Sequence, residues 1–249
     1  MQFTYEAYIQ LLKTIEENGY SFCNYENYLR DEECVILRHD IDYSLEQAVK
    51  LARIEHEHNV SSTYFVLLSS DFYNPASSSS YRYLHEIIRM GHHVGLHFDE
   101  TAYAYDGYKL EYYIRKEARI LSDLLDVNIN SFSLHRPNQK TIETELSIPG
   151  LVNSYGNEFF LGFKYLSDSR RRWREPVDEI IRSKAYKRLH ILTHAFWYHE
   201  TDQAIEQTIT EFIRNAGTDR TRCLQENITA LDEIIGTAGT QGSTRRKTE

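Results

Sequence analysis

The sequence predicts an α/β fold with a parallel sheet, either open or closed into a barrel. Three observations favour it: apolar, β-branched stretches alternate with amphipathic ones, capping and turn signals separate them, and 249 residues suffice for one such domain. Strands that alternate with helices pair in parallel, because each helix returns the chain to the same end of the sheet. Without repeats or a linker, we expect one domain over residues 1–235, and a disordered tail rich in Gly, Thr and Arg over 236–249.

The elements follow in order from the N-terminus. Residues 5–17 carry apolar side chains at helical spacing, and residues 34–37 form an apolar strand that ends at Asp40. Ser44 to Gln47 reads as a capping box that opens the second helix. Further predicted strands cover residues 62–68, 92–97, 131–134, 163–166 and 189–193. One further helix lies between a serine-rich loop at 77–80 and Gly91. Other predicted helices cover residues 110–125 and lie within 202–235.

Composition restricts the partners. A formal net charge of −9 and a pI near 5.7 argue against nucleic acid and against an anionic membrane surface. Three cysteines without paired spacing give no disulfide framework, which indicates reducing cytosol. The N-terminus lacks the pattern of a signal peptide and no run of eighteen apolar residues occurs, so we expect a cytoplasmic protein without a transmembrane segment.

Two carboxylates follow the first apolar strand at a spacing of two. Side chains on a strand alternate between faces, so Arg38, Asp40 and Asp42 project together. Two carboxylates in one small space repel each other unless a cation lies between them or one is protonated. The pair therefore predicts a metal and general-base site, with an ordinary solvated strand end as the alternative.

Other predicted strands also end in chemically active residues. In parallel α/β folds, functional groups gather at the carboxyl ends of the strands, where the loops converge over one crevice. Five of the six predicted strands fit this rule, although a structural, hydrogen-bonded role is the alternative for any single histidine. The residues at these ends are Asp40 and Asp42, His97 and Asp99, His135 and Arg136, Asp168, and His194.

These residues resemble the polysaccharide deacetylases of the NodB-homology type, also called carbohydrate esterase family 4. The likeness spans roughly residues 34–198 and is to relatives that open with Arg-His-Asp-x-Asp. In the family's first motif an aspartate base precedes an aspartate metal ligand, which resembles Asp40 and Asp42. The resemblance implies a distorted (β/α) barrel of about seven parallel strands.

Two more motifs carry the likeness. Gly-His-His-Val-Gly-Leu-His at residues 91–97 is similar to the family's Gly-His-Glu-Ile-Gly-x-His, so His97 resembles its first histidine ligand. Ile-Leu-Thr-His at residues 191–194 resembles a Leu-x-x-His motif, which implies that His194 is the general acid; isoleucine replaces leucine there and keeps the apolar character.

One family position is changed. The family's second histidine ligand falls at Thr101, and a hydroxyl is a poor ligand for a zinc-like ion. His135 is our first candidate to replace it, although the family more often places there an arginine that braces the catalytic aspartate. His93 is a weaker candidate because it lies deeper in the sheet, and we expect the chain to turn into a loop before Asp99. Loss of the metal is the remaining alternative.

A last segment resembles the family less closely. Asp168 followed by Trp173 is similar to an acid-then-tryptophan motif, in which the acid tunes the catalytic groups and the indole walls the acyl pocket. A solvated basic loop around residues 170–172 is the alternative. We group Arg136 with Asp168 and Trp173 as supporting or substrate-binding residues.

The resemblance implies a metal-dependent hydrolase that removes an N-acetyl group from an amino sugar of a cytoplasmic or lipid-linked glycan precursor. The cofactor is a divalent ion held by Asp42, His97 and His135, with zinc favoured and cobalt, nickel or manganese as alternatives. Asp40 is the base and His194 the acid. The alternatives are a deformylase or another hydrolase of non-peptide C–N bonds on the same fold, and a non-catalytic glycan-binding relative.

Overall fold

The computed structural model describes residues 1–103 and 110–235, so the tail predicted at 236–249 lies outside the described residues. The chain divides into two compact units, Met1–Asp202 and Gln203–Glu249. The second unit, where described, consists of two helices, Ile205–Asn227 (α8) and Leu231–Ile235 (α9). A single domain over residues 1–235 remains a prediction.

The first unit is built on a curled sheet in which every pairing is parallel. Seven strands follow one another in the order β6-β5-β4-β3-β2-β8-β7 and form a half-barrel, while the short β1 pairs with the first half of β2. The predicted α/β class and barrel-like sheet of about seven parallel strands are confirmed. The strands are Ser21–Cys23 (β1), Cys34–Ile41 (β2), Thr63–Leu67 (β3), His93–Asp99 (β4), Ser131–His135 (β5), Val152–Asn153 (β6), Lys164–Ser167 (β7) and Arg188–Thr193 (β8).

Seven α-helices of this unit are described, and side-chain caps begin several of them. Ser44 accepts a hydrogen bond from the Gln47 backbone N–H, as the capping box predicts. Ser77 caps the third helix in the same way, and residues 78–80, which we assigned to the same loop, form its first turn instead. The helices are Tyr5–Glu17 (α1), Leu45–Glu57 (α2), Ser78–Arg89 (α3), Leu110–Leu125 (α4), Gln139–Glu143 (α5), Asn157–Phe160 (α6) and Val177–Ser183 (α7), with 3₁₀ turns at Glu100–Tyr103 and Ala195–Trp197.

The central strand β2 is buried along its whole length, which explains its apolar sequence. Gly95 on β4 allows close packing nearby: a Cβ there would lie 2.4 Å from the Phe65 ring. The Phe65 ring in turn lies under the guanidinium of Arg38, 5.6 Å from its centroid. Gly95, in the second motif, therefore helps to position Arg38, in the first motif, through the Phe65 ring.

The strand order reverses beside β2. From β2 the chain builds outward through β3, β4, β5 and β6, and then returns to add β8 and β7 on the other side. Ligands of open parallel sheets bind at such a switch point, above the carboxyl ends of the strands. Asp42 follows β2 and His194 follows β8, so the two flank this crevice.

Across residues 1–103 and 110–235, no helix combines the length and hydrophobicity needed to cross a membrane.

Candidate metal centre and active site

Three potential metal ligands converge above the ends of β2, β4 and β5. Oδ1 of Asp42 lies 3.1 Å from Nε2 of His97 and 3.3 Å from Nδ1 of His135. The two imidazole nitrogens are 3.1 Å apart. We call Asp42, His97 and His135 the front cluster.

Ser133 orients the most buried member of the front cluster. It pairs with His97 across β4 and β5, and its Oγ lies 2.6 Å from Nδ1 of His97. The same hydroxyl donates to Oδ1 of Asp40 at 3.3 Å. Because Nδ1 is occupied by this contact, Nε2 of His97 is the nitrogen that faces Asp42 and His135.

The electrostatics of Asp42 suit a ligand. Burial alone would raise its pKa, but hydrogen bonds with His135 and His97 and the charges of His97 and His194 outweigh this and hold the pKa well below its ordinary value. The carboxylate is therefore ionised over the whole physiological range.

The donor set fits a small divalent ion. One carboxylate oxygen and two imidazole nitrogens are ligands that zinc and related ions accept. Bonds of about 2.0–2.1 Å in a tetrahedral ion place neighbouring ligand atoms about 3.3 Å apart, close to the separations in the front cluster. A fourth position would remain for water or substrate.

Asp40 lies behind this triangle and is held by a buried arginine. Nη2 of Arg38 donates to Oδ2 of Asp40 at 3.1 Å, and Nη1 donates to the Ser154 hydroxyl at 2.6 Å. Nε2 of His97 is 3.9 Å from the same aspartate. Arg38 is fully buried, and although burial lowers its pKa, the charge of Asp40 more than compensates. A brace for Asp40 was the alternative role for His135, beside that of metal ligand; the guanidinium that contacts Asp40 in the structure is that of Arg38.

On the other side of the crevice, His194 pairs with Asp168. Its Nδ1 lies 2.6 Å from Oδ1 of Asp168, and its backbone N–H donates to Oδ2 of the same carboxylate. The Tyr198 hydroxyl also donates to that oxygen at 3.2 Å. Nε2 of His194 is 3.9 Å from Oδ2 of Asp42, so it faces the front cluster.

Asp168 determines the charge of His194. Burial would lower the pKa of the imidazole, but the charge and hydrogen bond of Asp168, with smaller contributions from Asp42 and Asp40, raise it to about 9. A histidine that is protonated at neutral pH can give up a proton during a reaction.

A small cavity of about 10 Å³ lies between these groups, with room for about one water molecule. Asp40, Asp42 and His194 line it, together with the aromatic rings of Tyr43 and Phe196. The two rings are in contact, with centroids 4.8 Å apart. Trp173, which we expected to wall the site, is not among the lining residues and lies instead beside Tyr198.

The remaining candidates have other contacts. The Thr101 hydroxyl donates to Oδ1 of Asp99, and Arg136 donates to Oδ2 of the same carboxylate at 2.6 Å. Strand β4 continues through Asp99, contrary to our expectation of a loop there. Nε2 of His93 lies 2.9 Å from the Asn24 side chain, which separates it from the front cluster.

A second polar cluster lies on the opposite face of β2. The carboxylate of Glu55 accepts hydrogen bonds from the hydroxyls of Tyr8, Ser62 and Tyr64, and Nε2 of His39 lies 2.8 Å from it. We call these five residues the rear cluster; all are fully buried. Nδ1 of His39 also lies 2.6 Å from the hydroxyl of Thr193, which precedes His194. Our sequence reasoning missed this cluster, although a glutamate on the apolar face of a predicted helix was a usable signal.

No protein-family model and no curated protein matches this sequence. Solved structures do match, and they include deacetylases and other members of the CE4 family. The Streptococcus pyogenes deacetylase PplD in complex with acetate shares 13% identity over 76% of this chain and 80% of its own, with a TM-score of 0.43. A polysaccharide deacetylase from Bacillus cereus shares 14% over 74% and 89%, also with a TM-score of 0.43.

A CE4 family pseudoenzyme from Bacillus anthracis shares 15% identity over 74% of this chain, with a TM-score of 0.41. The match spans only 62% of that protein's length. These structures belong to the family that the motifs resemble, but they do not test whether this chain belongs to the Arg-His-Asp-x-Asp subgroup. At such identities and TM-scores they give no basis for assigning residue roles, which come from the geometry of this chain.

Proposed function

We propose that this protein is a metal-dependent hydrolase that removes an N-acyl group, most simply acetyl, from an amino sugar of a glycan precursor. The observation that carries the proposal is the front cluster itself. A carboxylate oxygen and two imidazole nitrogens converge at 3.1–3.3 Å, with an arginine-braced carboxylate on one side and an aspartate-paired imidazole on the other.

Asp42, His97 and His135 would hold the ion. A divalent ion there supplies Lewis acidity toward the amide carbonyl and lowers the pKa of bound water from about 15.7 toward about 7. Zinc suits this mixed nitrogen and oxygen set, with cobalt, nickel and manganese as alternatives.

The protein's own groups move the protons. Asp40 accepts a proton from the attacking water, and the hydrogen bond from Arg38 orients that carboxylate. His194 donates a proton to the nitrogen of the departing amine, while Asp168 fixes the imidazole so that Nε2 faces the reaction. The small cavity lined by Asp40 and His194 has room for about one such water, which supports these roles.

Metal binding and acyl release together test the proposal. Protein purified without chelator should carry about one divalent ion per chain, and Asp42→Asn should lose it. Asp40→Asn should keep the ion but release acyl groups about 10²- to 10⁴-fold more slowly. Asp123→Asn, the same change at an exposed ion pair, should behave like wild type.

The acyl group is read directly from the product. Acetate release from N-acetylated sugars supports a deacetylase, whereas formate release from N-formylated sugars would assign the same chemistry to another acyl group. If the protein binds no divalent ion, or if Asp40→Asn hydrolyses the substrate at the wild-type rate, the proposed function is wrong.

A further inference from the structure

Arg136 is an exposed cation directly beside the front cluster. It follows His135 in the chain, and 67% of its side chain is exposed. Its backbone adopts a positive φ of 50°, a conformation that costs most non-glycine residues about 1 kcal/mol or more. A strained, exposed arginine next to a candidate metal ligand calls for an explanation.

One hydrogen bond fixes the side chain and leaves other donors available. Nη2 donates to Oδ2 of Asp99 at 2.6 Å. A guanidinium has five N–H donors in a rigid plane, so this bond orients the group without exhausting it. Arg136 also interacts electrostatically with Asp42 and Tyr43, so it lies near the front cluster.

A large cavity begins at Arg136. Its volume is about 1050 Å³, far more than an acetyl group needs, and is comparable with ligand pockets of about 300–1,000 Å³. Two more cations line it, Arg115 from α4 and Lys140 from α5, together with aromatic rings such as Tyr112.

The acidic residues of this cavity are already engaged. Glu100 accepts hydrogen bonds from the backbone and side chain of Asn138 and from the Thr141 hydroxyl. Glu111 accepts from Nε of Arg115. Arg136 is paired with Asp99 through one nitrogen, and Lys140 has no ion pair among the described residues, so both can offer N–H donors to a ligand.

We propose that Arg136 binds an anionic group, a phosphate or a carboxylate, that is attached to the amino-sugar substrate, and that the adjoining cavity receives the rest of the substrate. This inference rests on the proposed function, because the reacting sugar is taken to lie at the front cluster. A planar guanidinium matches both anions with two parallel hydrogen bonds. The substrate class is therefore an acidic sugar derivative.

Direct binding to the zinc-loaded protein tests the inference without hydrolysis. Calorimetry would compare glucosamine with glucosamine 1-phosphate and with muramic acid, which add a phosphate and a carboxylate to the same amino sugar. The wild-type protein should bind at least one of the two charged sugars about tenfold or more tightly than glucosamine, as expected for charge-assisted hydrogen bonds. The sugar that is preferred identifies the anion.

Variants of Arg136 test whether this residue causes the preference for a charged sugar. Arg136→Gln should reduce the ratio of charged to neutral affinity to about one, while Arg136→Lys should retain part of it. Arg119→Gln, which removes an arginine that is 85% exposed and does not line the cavity, should keep the wild-type ratio. Raising the salt concentration should weaken wild-type binding of the charged sugar only.

The two hypotheses fail in different ways. If acyl groups are hydrolysed but wild-type protein binds charged and neutral sugars equally, the anion site is wrong and the hydrolase stands. If Arg136 supports a preference for a charged sugar but no sugar is deacylated, the binding site stands and the proposed function is wrong. A preference that survives in Arg136→Gln also overturns the inference.

Discussion

The two faces of the sheet at strand β2 carry polar clusters, one fully buried and one partly buried, that differ in how their charge is balanced. On the rear face, the Glu55 carboxylate receives three hydroxyl donors and an imidazole. On the front face, the Asp42 carboxylate and two imidazole nitrogens point at one another. Among the described residues no hydroxyl donates to Asp42, so the contacts of the front cluster depend on a proton carried by an imidazole or on a cation.

This difference distinguishes a cluster that the protein satisfies by itself from the cluster that we propose binds a metal ion. A buried carboxylate that is surrounded by donors is satisfied by the protein alone, and it links the elements that supply them. A buried set of facing ligand atoms becomes satisfied only when a proton or a cation lies between them. The residue types are alike in both places, and the balance of donors and acceptors distinguishes them.

Replacing the central carboxylate of the rear cluster should have the largest effect on stability. Glu55→Gln breaks a buried ionic contact with His39 and leaves hydroxyl donors facing an amide, so the free energy of unfolding should fall by about 3–5 kcal/mol. Burial alone would raise the pKa of Glu55, but the charge of His39 and the hydrogen bonds lower it to about 2. The wild-type protein should lose this contribution as the pH falls from 4.5 through about 2, and the variant should not.

Urea unfolding at neutral pH measures the effect, with Glu86→Gln as the control. Glu86 makes an exposed ion pair with Arg53, so its replacement should cost about 1 kcal/mol or less. Folded Glu55→Gln should still bind a divalent ion. Loss of the ion from folded variant protein would show that the rear cluster is not merely structural.

Much of the fold followed from local patterns. The apolar run before Asp40, the alternation of strands and helices, and the Ser44 cap are all determined by neighbouring residues, and the structure contains each of them. Strands β1 and β6 were not predicted because they span only three and two residues, too few for a period of two to show. Their pairing partners, not their own sequences, make them strands.

Part of the candidate site was also predictable from local sequence, and part was not. Asp42, His97 and His135 all lie where parallel strands end, so the rule for such folds selects them. Arg38 and Ser154 are 116 residues apart, and no spacing relates the arginine to the hydroxyl that it binds. Contacts of this kind, like the one between Ser133 and His97, depend on strand register across the sheet, which a single sequence does not reveal.

Replacing Asp168 tests whether a single carboxylate controls the pKa of His194 at the other edge of the crevice. In metal-free protein, His194 should titrate near 9, and in Asp168→Asn its pKa should fall, because burial lowers it and only the smaller contributions of Asp42 and Asp40 still raise it. The contribution of the His194–Asp168 pair to the free energy of unfolding is therefore present below pH 6.5 and is lost as the pH rises through about 9.

Nuclear magnetic resonance of the imidazole protons measures this titration, and His194→Gln assigns the signal. Asp123→Asn should leave the titration unchanged. An unaltered pKa of His194 in Asp168→Asn would mean that Asp168 does not set its charge, and the assignment of His194 as the proton donor would lose its basis.

The smallest expected effect on stability is at Glu117, a buried glutamate with few hydrogen-bond donors around it. Only the Tyr103 hydroxyl donates to it among the described residues, and its Oε2 is buried without a partner there. Burial raises its pKa to about 7, whereas Glu55 with its many donors lies near 2. A raised pKa means that the wild-type protein loses stability as the pH rises from 4.5 through about 7.

Glu117→Gln resembles the protonated acid at every pH. The variant and wild type should therefore be equally stable near pH 4.5, and at pH 8 the variant should be more stable by on the order of 1–3 kcal/mol. Thermal or urea unfolding at the two pH values measures the difference. Equal stability at both values would mean that the number of donors does not control a buried carboxylate in this protein, and the contrast between the front and rear clusters would then need another cause.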